Sequence, residues 1–211
     1  MTATHRTIAA IGQYAAITAL AMFALLHILS PEFDISWRMI SEYAYGPYGI
    51  VLAVMFFAWG FAEWCAVYAA SPLLSGWKGR TAQVLLFVSG LGAVMGGLFD
   101  IRHPLHGLAF GIGVPFVPVA ALLMYRRLTQ NGPNTLLRVV THGTWISILL
   151  MAGTMMMFIN DLKAAGAFHP ENPQMMTELP AGVHAVVGYA NRTLVVVFQL
   201  WIVLVNRRMA K

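Results

Sequence analysis

Charge is scarce in this chain: Asp, Glu, Lys and Arg make up 10% of 211 residues, against about 25% in an ordinary soluble domain. That shortage excludes a surface built for water. Cysteine is nearly absent too. The lone Cys65 lies inside an apolar stretch, which excludes a disulfide framework and a cysteine-based metal site. No HExxH or other fixed-spacing metal motif occurs, and Gly90-Leu91-Gly92 lacks the third glycine of a dinucleotide-binding loop. What the chain has in quantity is apolar residues, 59% of the total, with a mean hydropathy of +0.70. Lipid is the solvent this composition fits.

A membrane-crossing helix needs about 20 apolar residues, and helices are the only way for such runs to satisfy their backbone groups in hydrocarbon. Six segments qualify, roughly 8–30, 48–71, 81–100, 107–126, 139–160 and 183–205. The first is too long for the 7–15-residue apolar region of a signal peptide and is read as a retained helix. The longest connection, about 161–182, is too short for a soluble domain. The fold class is therefore all-α: a polytopic membrane protein with one domain over 1–211, a bundle of six transmembrane helices.

The side with both termini holds Arg6, Lys78, Arg80, Arg126, Arg127, Arg138, Arg207, Arg208 and Lys211, while the other holds Arg38, Arg102 and Lys163. The positive-inside rule then puts both termini in the cytoplasm of a plasma (inner) membrane. The net charge of +5 resides in these caps at span ends and indicates no nucleic-acid partner. Seven of the eight carboxylates gather on the other side: Glu32, Asp34, Glu42, Asp100, Asp161, Glu171 and Glu178. Five of the seven histidines join them, namely His27, His103, His106, His169 and His184. Orientation accounts for the basic side and leaves the acidic, histidine-rich side to be explained.

Span three carries Gly92 and Gly96 at GxxxG spacing followed by Gly97, and span four opens with Gly107, Gly111 and Gly113. These small residues predict a tight antiparallel pair, with span four kinked near Pro115 and Pro118. In the first outer loop, Asp34 is a candidate N-cap for a short interfacial helix, on which Arg38 and Glu42 stand at i,i+4. Trp37, Tyr43, Tyr45 and Tyr48 suit the headgroup layer.

Several stretches also carry a likeness. They are Leu26-His27-Ile28-Leu29-Ser30-Pro31-Glu32-Phe33-Asp34, Ile40-Ser41-Glu42-Tyr43-Ala44 with Gly46-Pro47-Tyr48-Gly49, and Gly97-Leu98-Phe99-Asp100. His106-Gly107 and Gly188-Tyr189-Ala190-Asn191-Arg192 belong with them. In these motifs the chain resembles the membrane proteins catalogued as domain of unknown function 998 and, more distantly, Frag1-type lipid-remodelling membrane proteins. Where a proline-containing turn is expected after Phe99, this chain has Asp100-Ile101-Arg102-His103. The resemblance implies six helices and an outward-facing polar site, with no assigned activity.

Arg192 lies about nine residues into the last span, roughly 13 Å deep at 1.5 Å per residue, where an unpaired charge costs several kcal/mol. A structural reading has it snorkel to the interface beside a carboxylate such as Asp100, Asp161 or Glu42, and a functional one leaves its fork for an anion; His184 at i−8 is placed on a nearby face. The expected site is a pocket for an anionic lipid headgroup or small anion, with Arg192, Arg38, Glu42, Ser41 and His184 as the binding set. If it is catalytic, His106, His27 and Asp100 are the candidate residues for hydrolysis or headgroup transfer. His27, Asp100, His103 and His106 together offer ligands for a transition metal such as zinc. His169, Met175 and Met176 in the last outer loop offer softer ligands, although Met155, Met156 and Met157 read as apolar filler. An alternative is a proton-coupled permease or sensor that works through Glu63, the one in-span acid, with His142 expected nearby. A purely structural subunit is the third reading.

Overall fold

A computed structural model of the chain describes residues 1–130, 132–168 and 176–211. Helix α1 spans Ala3–Leu29, α2 Gly49–Ala70 and α3 Gly76–Leu98. The fourth apolar run forms two pieces, α4 His106–Gly113 and α5 Phe116–Leu128, followed by α6 Thr135–Ala164 and α7 Val187–Met209. Among the described residues six stretches are long and apolar enough to cross a membrane, with α4 and α5 together making one of them. Side chains such as Ile17, Phe61, Phe87, Leu149 and Leu150 point outward into the space lipid would fill.

The chain reverses between one span and the next, so both termini lie at one end, called here the terminal end. The other is the loop end. The helices close a ring in the order α1, α2, α3, α4–α5, α6 and α7, with α7 returning to α1 and also touching α2 across the interior. Helix α7 is the most enclosed of the six and α6 the least. Its buried faces carry Phe198, Trp201, Ile202 and Val205, around which the core is built. At the terminal end, Gly12 of α1 lets Asn206 of α7 and Cys65 of α2 approach to a distance at which a methyl group would collide with both.

The break in the fourth span falls at Val114–Pro115, where Pro115 has no N–H to give the carbonyl of Gly111. Pro118, by contrast, sits in the first turn of α5 and causes no break, because the backbone N–H groups of a first turn need no helical partner. Above the break, α4 lies against α3 as expected, though not through the whole glycine series. A methyl on Gly92 would stand 2.4 Å from the Gly113 nitrogen and 2.8 Å from the Ala109 oxygen. Gly107 and Gly111 have nothing within 4 Å.

The first loop also differs from expectation. Asp34 caps no helix: its Oδ1 accepts from the Ser36 backbone N–H at 2.8 Å and the Ser36 hydroxyl at 2.7 Å, a local turn that competes with helix initiation. Only Ile40–Tyr45 is helical, as a short 3₁₀ segment that Glu42 closes by accepting the Met39 backbone N–H at 2.8 Å.

Candidate functional site

The loop between α1 and α2 is folded down onto the first turns of α7 by contacts that each follow from one residue choice. Gly188 has no side chain, and its N–H donates to the Ser36 carbonyl at 2.9 Å. A Cβ there would lie 2.5 Å from the Ile35 oxygen and 2.7 Å from the Trp37 nitrogen. Asn191 accepts the Ile40 N–H at 2.9 Å. Phe33, Trp37, Ile40 and Tyr43 are buried beneath the loop, so Trp37 and Tyr43 belong to the core rather than to a headgroup layer. Tyr48 is the exposed member of the predicted aromatic set.

Arg192 is the centre of this docking. Its Nε donates to His27 Nε2 at 2.8 Å, Nη1 to the Arg38 carbonyl at 2.6 Å and the Gly188 carbonyl at 3.2 Å, and Nη2 to the Tyr43 hydroxyl at 3.1 Å. All three guanidinium nitrogens are therefore engaged by neutral acceptors. No carboxylate pairs with Arg192 among the described residues. In place of an acidic partner, backbone carbonyls, a tyrosine hydroxyl and an imidazole take four of the guanidinium's five N–H groups.

Those bonds also define His27. Its Nδ1 lies 2.7 Å from the Phe23 carbonyl, which can only accept, so the proton is on Nδ1 and Nε2 offers its lone pair to Arg192. With both ring nitrogens occupied, His27 has none left for substrate or metal. Arg38 is buried as well, 4.3 Å over the Trp37 ring and 3.4 Å from Glu42 Oε1. Burial pushes the Glu42 carboxyl above the usual range, an effect that the Met39 N–H and Arg38 offset in part. An acid raised in the folded state binds its proton more readily there, so docking is strongest below the ordinary value and weakens as pH rises through the raised one. Asp34 acts oppositely: the Ser36 N–H and hydroxyl hold it low, and its contribution is lost as pH falls. Protection of the loop against protease is expected to decline less with rising pH in Glu42→Gln than in the wild type. Identical profiles would remove Glu42 as the cause.

Beside the docked loop lies a cavity in two adjoining lobes. The larger, about 440 Å³, is bounded by Ile101, Phe110 and Pro115 on the fourth-span side and by Ile148, Met151 and Met155 of α6. The smaller, about 90 Å³, continues inward to Phe56 and Trp59 of α2 and to Gly92 and Gly113. Both share Met39, Ser41, His106 and Leu194. The larger lobe is partly open, and α6 packs against α5 rather than against α4. A gap on the bundle's flank results. Polar groups are few. His106 Nδ1 is 2.8 Å from the Phe99 carbonyl, which fixes its proton there and leaves Nε2 as a lone-pair acceptor. Asn191 has its oxygen on Ile40 and its amide nitrogen without a partner among the described residues.

The predicted site residues are thus divided. Ser41 and His106 border the cavity; Arg192, Arg38, Glu42 and His27 hold the loop. Asp100 is held by Arg102, through Nε at 3.2 Å and a shorter contact to Nη2, which keeps its carboxyl below the usual range. His103 is exposed, stacked 4.5 Å from Phe99, and accepts the Leu105 N–H at 3.1 Å. The zinc set of His27, Asp100, His103 and His106 is therefore dispersed, and the described residues contain no group of three that could hold a metal ion.

His184 does not share a face with Arg192. Helix α7 begins only at Val187, so helical spacing does not extend to it, and it pairs with Asp161 at 2.8 Å instead. Glu63 and His142 do not meet either: Trp59 Nε1 donates to Glu63 at 2.9 Å, while His142 faces Trp145 at 3.1 Å. His169, Glu171 and Met175 lie outside the described residues. Tyr43, Gly188 and Asn191 have docking roles beyond those expected from the sequence. An asparagine next to an arginine inside a span was the available signal.

Six apolar helices carrying a polar loop dock at one end define an integral membrane protein. The family described as protein of unknown function (DUF998) matches residues 14–208, and the chain belongs to that family. No curated protein and no solved structure matches it.

Proposed function

We propose that the protein binds a membrane lipid, taking an apolar chain through the gap between α4 and α6 and holding an uncharged polar head at Ser41, His106 and Asn191. The observation that carries this reading is the lining: a cavity of about 440 Å³, walled by Phe110, Ile148, Met151, Met155 and Leu194 and partly open on the bundle's flank. Ligand pockets of about 300–1,000 Å³ with an apolar wall and a few convergent polar groups are the usual form of small-molecule sites. An anionic headgroup is less well served, because neither Arg192 nor Arg38 borders the cavity. By the positive-inside rule, the basic terminal end faces the cytoplasm of the plasma membrane and the cavity belongs to the outer leaflet.

Binding of a fluorescent monoacylglycerol to the purified protein in detergent tests this. Ala152→Phe, at the cavity's border, is expected to weaken it by about tenfold or more. Leu149→Phe, which adds bulk on the exposed face of the same helix, should leave it unchanged. Equal binding by Ala152→Phe and wild type, or tighter binding of a phosphatidylglycerol probe than of the monoacylglycerol, would overturn the reading.

A further inference from the structure

Glu63 of α2 is fully buried, and it is the only fully buried carboxyl among the described residues. Its Oε1 accepts from Trp59, and its Oε2 has no hydrogen-bond partner. Ser89 of α3 stands beside it and donates its hydroxyl to the Gly113 carbonyl at 2.7 Å, at the break in the fourth span. Trp59 and Gly113 both line the cavity's inner lobe. The carboxyl is thus one side chain behind the cavity wall, with an oxygen unaccounted for.

A buried polar atom left without a partner is expensive, and an ionised one far more so. No charged group on the packed helices α1, α3 and α7, from His5 and Arg6 at one end to His27 and Arg192 at the other, faces Glu63; its polar neighbours are Trp59 and Ser89. With no cation to balance it, the carboxyl carries a proton while its surroundings are dry. Ionisation requires water, and the inner lobe is the adjoining space that can admit it.

We propose that Glu63, Ser89 and the broken backbone at Gly113–Pro115 form a proton-binding site coupled to the cavity, so that filling the cavity and protonating Glu63 favour one another. A chain that enters the inner lobe displaces the water that ionised Glu63 needs. By linkage, loss of the proton then weakens binding by the same factor. The coupling rests on the lipid-binding reading; the proton site itself does not.

Two measurements separate them. Infrared difference spectra of the purified protein between neutral and alkaline pH should contain the carbonyl stretch of a carboxylic acid, shifted in deuterated water and missing in Glu63→Gln. If the wild type lacks this band, there is no proton site, whatever the lipid result; if Glu63→Gln does not fold, persistence of the band in Glu42→Gln supports the site and its loss there overturns it. For the coupling, affinity for the fluorescent monoacylglycerol should fall by about fivefold or more from neutral to alkaline pH in the wild type. Glu63→Gln, permanently neutral, should bind with no such fall. A matching fall in Glu63→Gln would overturn the coupling. Failure of the wild type to bind the probe at any pH would overturn the coupling together with the lipid reading, leaving the proton site to stand on its infrared band.

Discussion

Arg192→Leu is expected to leave α7 in the membrane, since the span becomes more apolar, and to release the loop over residues 31–47. The substitution strips donors from His27 Nε2, the carbonyls of Arg38 and Gly188, and the Tyr43 hydroxyl in one step. Buried acceptors left unsatisfied cost about 1–3 kcal/mol each, so a total loss on the order of 3–5 kcal/mol is expected after partial relaxation. Thermal unfolding in detergent, followed by tryptophan fluorescence, should show the drop, and proteolysis should cut between Pro31 and Pro47. Arg192→Lys should recover only part of the stability, because one ammonium cannot reach acceptors spread along a planar fork. An unchanged melting temperature with a protected loop would mean that the guanidinium is not what holds it.

The second large effect is expected at Gly92→Leu. Even the first added carbon would stand 2.4 Å from the backbone nitrogen of Gly113 and 2.5 Å from its Cα. Backbone atoms on both sides cannot rotate away, so α3 and α4 must separate. Overpacking of this kind typically costs about 1–3 kcal/mol, and more where only backbone is met. The same displacement distorts the cavity's inner lobe, which Gly92 and Gly113 line. Loss of melting temperature together with loss of the monoacylglycerol probe is the expected result. Gly107→Ala and Gly111→Ala, with nothing within 4 Å, should be neutral or stabilise by about 0.4–1 kcal/mol. Similar losses at Gly92, Gly107 and Gly111 would contradict the packing described.

These two positions also show how far the sequence could be read. Six spans and a break near Pro115 follow from run length and from a missing N–H, properties local to the chain, and they appear as expected. GxxxG spacing pointed to α3 against α4, but which glycines touch depends on the rotation of each helix about its axis. Gly92 and Gly113 meet, whereas Gly107 and Gly111 face away. That Arg192 is buried was legible; its place in the second turn of a helix that begins at Val187, and its partners, were not. Three of its four acceptors lie on the neighbouring helix or the loop, and the two carbonyls carry no side-chain signature at all. His184 lies off its expected face because the chain above Val187 is not helical. The interfacial helix is shorter than expected because Asp34 satisfies the nearby Ser36 instead of a helix end. A cavity is a property of packed volumes, and no residue pattern announces it.

The closing of the ring by α1 and α7 bears on the order in which the protein is made. His27, the Arg38 carbonyl and Tyr43 leave the ribosome early, and Arg192 arrives with the last helix. The residue hardest to place in hydrocarbon is therefore delivered when its acceptors already stand in position, and the lipid need not carry that charge alone. Until then the seam between α1 and α6 is open, the loop has nothing to lie on, and the core has no centre. A chain cut short before α7 is consequently a ring without its closing segment, marked by an undocked polar loop at one end of the bundle.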